Sequence, residues 1–328
     1  MEKIIPAKLK KGDEIRVIAP SRSMTILNNE TINIATNRLE ELGFKVTFGK
    51  NVNKQTDEIY GCATIEERIE DLHDAFRDTN VKAILTVIGG FNVNQILDYI
   101  DYDLIKDNPK IICGFSDITA LLDAIYTKTG LVTYYGPHYS SFGMKNGFEY
   151  TLEYFKKMFM QTDSICINDS KEWSDDPWFL NQEDRNFKTN EGRIVLSSGK
   201  IEGKIIGGNL CTLNLLQGTE YMPDLDESVL LIEDDEMAGD AFTKEFDRNL
   251  QSLLHCAKGK KINGIIIGRA QVNSKMTDDK WKSIIETKKE LQNIPIIINA
   301  DFGHTTPIFT FPIGGHIAID GDKIVIQD

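Results

Sequence analysis

Positive charge is scarce in this chain. Thirty-seven Lys and Arg against 50 Asp and Glu leave a net charge of −13, which excludes a general nucleic-acid surface, since that needs a basic face. A single nucleotide-sized ligand held by stacking is not excluded. Cysteine is scarce too: Cys62, Cys113, Cys166, Cys211 and Cys256 are odd in number and scattered, with no C-x-x-C pair. That excludes a disulfide framework and a zinc ribbon and fits a reducing compartment. There is no apolar run long enough to cross a bilayer, and Met1-Glu2-Lys3-Ile4-Ile5-Pro6 lacks the apolar core of a signal peptide. The expectation is a cytoplasmic protein without membrane contact. No H-E-x-x-H, no calcium-loop pattern and no Gly-Lys-Ser/Thr phosphate loop occurs.

What the chain does have is length and alternation. Its 328 residues suggest two domains. Apolar strand-like runs alternate with amphipathic helical spacing through the first half: Glu14 to Pro20, a helix over Thr31 to Leu42, Lys45 to Phe48, a capping-box helix opening at Thr64-Ile65-Glu66-Glu67, Val81 to Ile88, a helix over Val93 to Tyr99, then Ile111 to Cys113 and Leu131 to Tyr135. This predicts an α/β fold with a doubly wound parallel sheet. Past Phe159 the pattern breaks. Asp163 to Asn190 is polar and aromatic, with Trp173, Trp178 and Phe179 in acidic surroundings, and reads as a linker plus a functional loop. A second domain follows, with strands expected at Arg193 to Leu196, Lys204 to Ile206, Val229 to Ile232, Ile262 to Ile267, Ile294 to Ile298 and Lys323 to Ile326, and helices at Leu210 to Leu216, Phe242 to His255 and Lys280 to Leu291. The expected division is therefore 1–162, 163–190 and 191–328.

One stretch organises the chemistry. Ile111-Ile112-Cys113-Gly114-Phe115-Ser116 runs from a buried strand into the helix pattern of Asp117 to Ile125. A serine at a sharp strand-to-helix turn is held clear of the sheet, beside unpaired helix N–H groups that favour developing negative charge. Ser116 as a plain helix cap is the alternative. A serine nucleophile needs a histidine base and a group to orient it. Of five histidines, His73 and His255 fall inside helices, His316 precedes a terminal strand, and His138 follows Gly136-Pro137. His304, in Asp301-Phe302-Gly303-His304-Thr305-Thr306-Pro307, lies just past a buried strand, where catalytic side chains gather; a histidine bonded to its neighbouring threonines is the competing reading. Glu233, first past Val229-Leu230-Leu231-Ile232, is the candidate orienting acid, and Asp234 to Glu236 read as a solvated charge run or, less simply, a divalent-metal site. Gly89-Gly90 is either a bare turn or a source of a backbone N–H for an oxyanion hole.

With Leu9-Lys10-Lys11-Gly12-Asp13, Gly114-Phe115-Ser116-Asp117, Gly207-Gly208-Asn209-Leu210, Leu231-Ile232-Glu233-Asp234 and Gly303-His304 in this order, the chain resembles the LD-carboxypeptidase family of serine peptidases over essentially its whole length. The resemblance implies a flavodoxin-like N-terminal domain, a mixed β/α C-terminal domain, an active site between them and a homodimer. It implies a triad of Ser116 as nucleophile, His304 as base and Glu233 as orienter, with no cofactor and no metal; the N–H groups of Gly90 and Asp117 would hold the oxyanion. Murein-recycling members typically carry an arginine before the glycine pair, where this chain has Ile88. The segment Ile88-Gly89-Gly90-Phe91-Asn92-Val93-Asn94 and the loop Glu172-Trp173-Ser174-Asp175-Asp176-Pro177-Trp178-Phe179-Leu180 instead resemble the microcin C immunity branch, which cleaves the bond joining a peptide or amino acid to a modified nucleotide. The expected partner is then a peptidyl- or aminoacyl-nucleotide and no nucleic-acid polymer, with Trp178, Phe179, Asn209 and Asn92 as substrate-binding residues. A murein-tetrapeptide LD-carboxypeptidase and a non-catalytic sequestering protein on the same fold are the alternatives.

Overall fold

Strands buried on both faces cannot alternate polar with apolar residues, so near-continuous apolar runs mark the centre of a parallel sheet. In the computed structural model, which describes residues 2–328, such runs, β1 (Glu14–Ile18), β3 (Val81–Thr86), β4 (Ile111–Gly114) and β5 (Thr133–Tyr135), pair with one another, and the half-exposed β2 (Lys45–Phe48) adds an edge. All are parallel. Their order, 2-1-3-4-5, is that of the flavodoxin-like doubly wound fold. Five helices accompany them: α1 (Asn29–Glu41), α2 (Ile65–Arg77), α3 (Tyr102–Asp107), α4 (Thr119–Thr129) and α5 (Glu149–Met160). Helix α2 opens on the capping box read from the sequence: Glu67 N–H donates to the Thr64 hydroxyl while the Glu67 carboxylate accepts from Thr64 N–H. Helix α4, whose sequence reads as amphipathic, is buried all round from Thr119 through Ile125. Val93–Tyr99, expected as an α-helix, winds instead as 3₁₀ turns, and Asn92 supplies no side-chain cap.

The second sheet has eight strands: β6 (Ile165–Ile167), β9 (Ile194–Ser197), β10 (Lys200–Asn209), β11 (Ser228–Glu233), β12 (Ile262–Gly268), β13 (Ile296–Ala300), β15 (His316–Asp320) and β16 (Lys323–Gln327); β7 (Glu172–Trp173) and β8 (Lys188–Thr189) form a separate ribbon, and β14 (Phe311–Ile313) leaves for the first sheet. The order is β6-β16-β15-β10-β11-β12-β13-β9, with β10 to β13 parallel and the flanking pairs antiparallel. Helices α6 (Leu210–Asn214), α7 (Phe242–Cys256) and α8 (Asp278–Glu286) follow β10, β11 and β12.

The sheets do not divide the chain at one point. Strand β6, inside the expected linker, pairs with β16, and β14 pairs antiparallel with β5, placing Phe311 opposite Tyr135. The two sheets are thus stitched together beside β4 and β5, and the carboxyl ends of β4, β11 and β13 come close to one another. Among the described residues no helix is long and apolar enough to cross a membrane.

Candidate active site

Strand β4 ends at Gly114, Phe115 stays extended, and Ser116 takes φ 61° before one 3₁₀ turn leads into α4. A left-handed serine is strained, and such strain persists where the surroundings over-determine it. Here it turns the side chain out of the sheet: Ser116 Oγ lies 3.0 Å from His304 Nε2. His304 Nδ1 is 2.7 Å from Glu233 Oε2. Glu233 is the last residue of β11 and is buried. Its other oxygen accepts from the Tyr135 hydroxyl at 2.6 Å and from Asn209 Nδ2 at 3.3 Å. Gly303, at φ +103°, is required by this packing: a Cβ there would sit 2.5 Å from Glu233 Oε2.

The electrostatics follow from the same contacts. Burial alone would push the Glu233 carboxyl up, but the charge and hydrogen bond of His304, with the bonds from Tyr135 and Asn209, bring it below the ordinary value. Burial alone would lower the imidazole; the Glu233 carboxylate, helped by Asp235 and Asp234, raises it to about 9. An ionised Glu233 accepts, so Nδ1 carries the proton, and the neutral imidazole offers its Nε2 lone pair to Ser116. A hydroxyl bonded in this way can lose its proton to the ring as it attacks a carbonyl.

The glycine turn lies directly against the serine. A Cβ on Gly89 would stand 3.0 Å from Ser116 Cβ, 3.2 Å from its Oγ and 3.5 Å from Asp117 N; a Cβ on Gly90 would run into Ser21. This backbone is held by the residue after the serine. The Asp117 carboxylate accepts from Ser21 Oγ at 2.5 Å and from Asn92 N and Val93 N at 3.0 Å each. Buried Arg68 ties down the same turn through the carbonyls of Pro20 and Asn92. Burial raises the Asp117 carboxyl above its ordinary value against the pull of those bonds.

A cavity of about 540 Å³ opens over Ser116, with Arg22, Gly90, Phe91, His304, Trp178 and Phe179 on its walls. Phe179 is exposed and Trp178 half-buried. Trp173 takes no part in the cavity: Lys188 Nζ lies 4.5 Å and Arg269 Cζ 5.0 Å from its ring centre, so it anchors the loop. Asn209 and Asn92, expected to touch substrate, are not on the walls. Asn209 is buried behind Glu233, where its Oδ1 caps α6 through Thr212 N at 3.1 Å while its Nδ2 reaches Glu233 and Asp234. Asn92 is buried in the turn clamped by Asp117, its Nδ2 toward Cys62 Sγ. Both belong to the frame of the site because each has its polar atoms turned into the protein. Of the other histidines, His73 accepts from Asp101 N, and His138 is buried on the cavity wall.

Sequence reasoning missed Tyr135 as part of the site. It reads as one more apolar strand residue, and only the Gly136-Pro137 stop after it marks a strand end where ligands collect. Arg22, just past the carboxyl end of β1, reaches the cavity wall.

The acidic run does not converge. Asp234 faces Asn209 Nδ2, Asp235 accepts from Met237 N, and Glu236 pairs with Asn273. Asp234 is pushed up to about 7, by burial first and then by Glu233 and Asp235.

Comparison with known proteins agrees with this architecture. The LD-carboxypeptidase N-terminal domain profile matches residues 15–136 and the C-terminal domain profile matches residues 202–319. The crystal structure of an MccF-like protein from Bacillus anthracis superposes with a TM-score of 0.97 at 52% identity, covering 99% of each chain. YocD of Bacillus subtilis is 54% identical over 314 residues, 96% of this chain and 95% of its own. The microcin C7 self-immunity protein MccF of Escherichia coli is 33% identical over 329 residues, 98% of this chain and 94% of its own. The chain belongs to the LD-carboxypeptidase family, a family of serine peptidases.

Proposed function

We propose that this protein hydrolyses the amide-type bond between a peptide or aminoacyl group and a modified nucleotide, as a detoxifying enzyme of the microcin-immunity type. The observation that carries the hydrolytic part is the unbroken hydrogen-bond chain from Ser116 through His304 to Glu233. In this reading His304 Nε2 takes the hydroxyl proton as Ser116 attacks the carbonyl carbon. The N–H groups of Gly90 and Asp117 hold the oxyanion, and His304 returns the proton to the leaving nitrogen. Water, activated by the same histidine, then releases the acyl group. Substrate class is supported by the aromatic wall of Trp178 and Phe179 and by the relatives: a tryptophan-to-phenylalanine mutant of MccF has been solved with adenosine monophosphate, and MccF with aspartyl sulfamoyl adenosine and with glutamyl sulfamoyl guanosine.

One observation favours a second reading. Arg22 brings a guanidinium to the cavity beside Gly90, and a guanidinium holds a carboxylate as well as a phosphate. A peptide carboxyl terminus, as in a murein tetrapeptide, meets that demand even though Ile88 stands where murein-recycling members typically have arginine. Incubation with both substrate types, followed by mass spectrometry of the products, decides. Release of amino acid and nucleotide from the conjugate with the tetrapeptide untouched supports the first reading; the reverse overturns it.

Trp178→Ala is expected to weaken kcat/KM for a nucleotide-bearing substrate by about 5- to 150-fold, the worth of one base–aromatic stack. A matched substrate without a base should lose much less. Equal losses would make Trp178 an anchor like Trp173 and move the murein reading ahead. EDTA should leave the rate unchanged, because the charge chain is complete without a cation; a loss restored by zinc or magnesium would return the acidic run to consideration as a metal site.

A further inference from the structure

The loop that carries His304 and the loop that carries Trp178 share one buried anchor. Asp301, the first residue past β13, is 2% exposed and opens the segment Phe302-Gly303-His304. Its carbonyl accepts from Phe309 N at 2.8 Å and closes that segment at its base. One carboxylate oxygen accepts from Arg269 Nη2 at 2.9 Å and the other from Ser170 N at 2.8 Å. Asn190 Nδ2 lies 3.2 Å from both. Arg269, the first residue past β12, is 8% exposed. Its Nη2 also donates to Asn190 Oδ1 at 2.7 Å and to Asn299 O at 3.2 Å, and its guanidinium lies over the Trp173 ring. Ser170, Trp173 and Asn190 belong to the segment 170–190 that presents Trp178. A guanidinium offers several donors in a planar fork and stacks on aromatic rings, so one arginine meets demands that a lysine could not.

Farther out the two loops are joined again. Ser174 N donates to Thr306 O and Thr306 N to Ser174 O, each at 2.8 Å. Ser174 Oγ donates to Asp176 Oδ2 at 2.8 Å, and Trp178 N donates to Asp176 O at 2.7 Å. A path of hydrogen bonds thus runs from Trp178 to Thr306, just past His304. On the other side, Gly268 packs on the triad: a Cβ there would sit 2.8 Å from Glu233 Cβ and 2.5 Å from Phe302 O. Neither Arg269 nor Asp301 lines the cavity, so both act on the reaction only through what they hold. A buried ion pair is a poor source of stability, since desolvation offsets most of its attraction. What its directional bonds fix here is the geometry of two loops.

We propose that Arg269, with Asp301, is a positioning residue that couples these loops: it sets His304 against Glu233 and Trp178 over the cavity at once, so that a base on the aromatic wall raises turnover as well as affinity. The inference rests on the hydrolase reading above and deepens it. Binding energy from a remote part of a substrate speeds the reaction only when it is spent on organising the reacting groups. Here a base stacked on Trp178 steadies its loop, Ser174 passes that to Thr306, and Asp301 keeps the histidine segment from giving way.

The test uses the full chain, Arg269→Gln and Asn190→Ala. Arg269→Gln removes the charge and the fork. Asn190→Ala keeps the ion pair, removes the amide that spans the loops, and leaves the test open if Arg269→Gln does not fold. The first readout needs neither substrate nor turnover: the His304 imidazole titration by NMR, assigned against His304→Ala. In Arg269→Gln its midpoint should fall by about one pH unit, because a histidine loosened from Glu233 loses the charge that raises it. Asn190→Ala should move it the same way by less. The second readout is hydrolysis of aspartyl sulfamoyl adenosine. Arg269→Gln should lower kcat by about tenfold or more, and adding Trp178→Ala to it should cost only about threefold further, since the stack is already lost. A merely structural pair would leave the midpoint in place and let the two losses multiply. The third is calorimetric affinity for adenosine monophosphate, which should fall in both variants. An uncleaved conjugate, with midpoint and affinity both falling, fails the hydrolase reading and supports the coupling. Hydrolysis with independent losses, or a midpoint unmoved in both variants, overturns the coupling. A midpoint that falls while adenosine monophosphate binds as before overturns it too, because Arg269 would then hold the histidine loop alone.

Discussion

Ser116→Ala is expected to lower turnover by about 10⁴-fold or more while the chain stays folded. The hydroxyl is held 3.0 Å from an imidazole nitrogen that is itself oriented by a buried carboxylate. Removing it takes away the atom that would form the acyl bond, so the loss should fall on kcat and leave substrate binding largely in place. The fold should tolerate the change. Alanine has the same left-handed backbone penalty as serine at φ 61°, and the lost hydrogen bond faces the cavity, where water can replace it. His304→Ala should fall to a similar rate. The double variant should be little worse than either single one, because residues that act as a unit do not add. Thermal melts alongside single-turnover rates check both halves. A folded Ser116→Ala chain with near-normal rates would remove Ser116 as the nucleophile, and an additive double variant would mean that serine and histidine act independently.

How much of this could be read from the sequence depended on the kind of interaction. Local signals transferred well. The capping box at Thr64 and Glu67, the buried run Val81–Thr86 and the strand-to-helix turn at Ser116 are all set by neighbours in the chain, and each sits in the structure where its pattern points. Long strands interrupted by glycine did not transfer. Strand β10 runs from Lys200 to Asn209, yet Gly203, Gly207 and Gly208 break its hydropathy and left only Lys204 to Ile206 legible. Those glycines answer to a neighbouring strand: a Cβ at Gly203 would press on Glu227 O and one at Gly207 on Leu231. Strand β14 was missed for a related reason, since a three-residue strand that joins the other sheet carries no local sign of its partner. At the site, the types and order of Ser116, Glu233 and His304 were legible because nucleophile, orienter and base each lie at the end of a strand signal. The roles of Tyr135, Asn209 and Asn92 were not. Whether an asparagine faces substrate or braces a carboxylate is decided by residues more than twenty positions away, as Asn209 and Glu233 illustrate.

The second large effect is on pH. If His304 is the base, only its neutral form can take the Ser116 proton, so kcat/KM should follow the fraction of free enzyme with a deprotonated imidazole. The groups facing that ring set where this happens. Glu233 bonds Nδ1 at 2.7 Å, and Asp235 and Asp234 add further negative charge, while the neighbouring His138, itself neutral, adds none. Burial opposes them and loses, and the imidazole rises from 6.5 to about 9. The sign is therefore an ascending limb. The rate should climb tenfold per pH unit below about 9 and flatten above it, leaving kcat/KM at pH 7 roughly a hundredfold under its plateau. Loss of the Asp234 proton near 7 strengthens the hold on the imidazolium, so the lower part of the limb should be shallower than a single titration. Glu233→Gln removes the principal negative charge. Its limb should slide down toward the ordinary imidazole value, and its plateau should fall as well, because the amide no longer anchors the ring as an ionic partner. Asp235→Asn should shift the limb in the same direction by less, with the plateau kept. A wild-type limb already flat at pH 7, or one that Glu233→Gln does not move, would mean that the imidazole bonded to Ser116 is not the group whose proton limits the reaction.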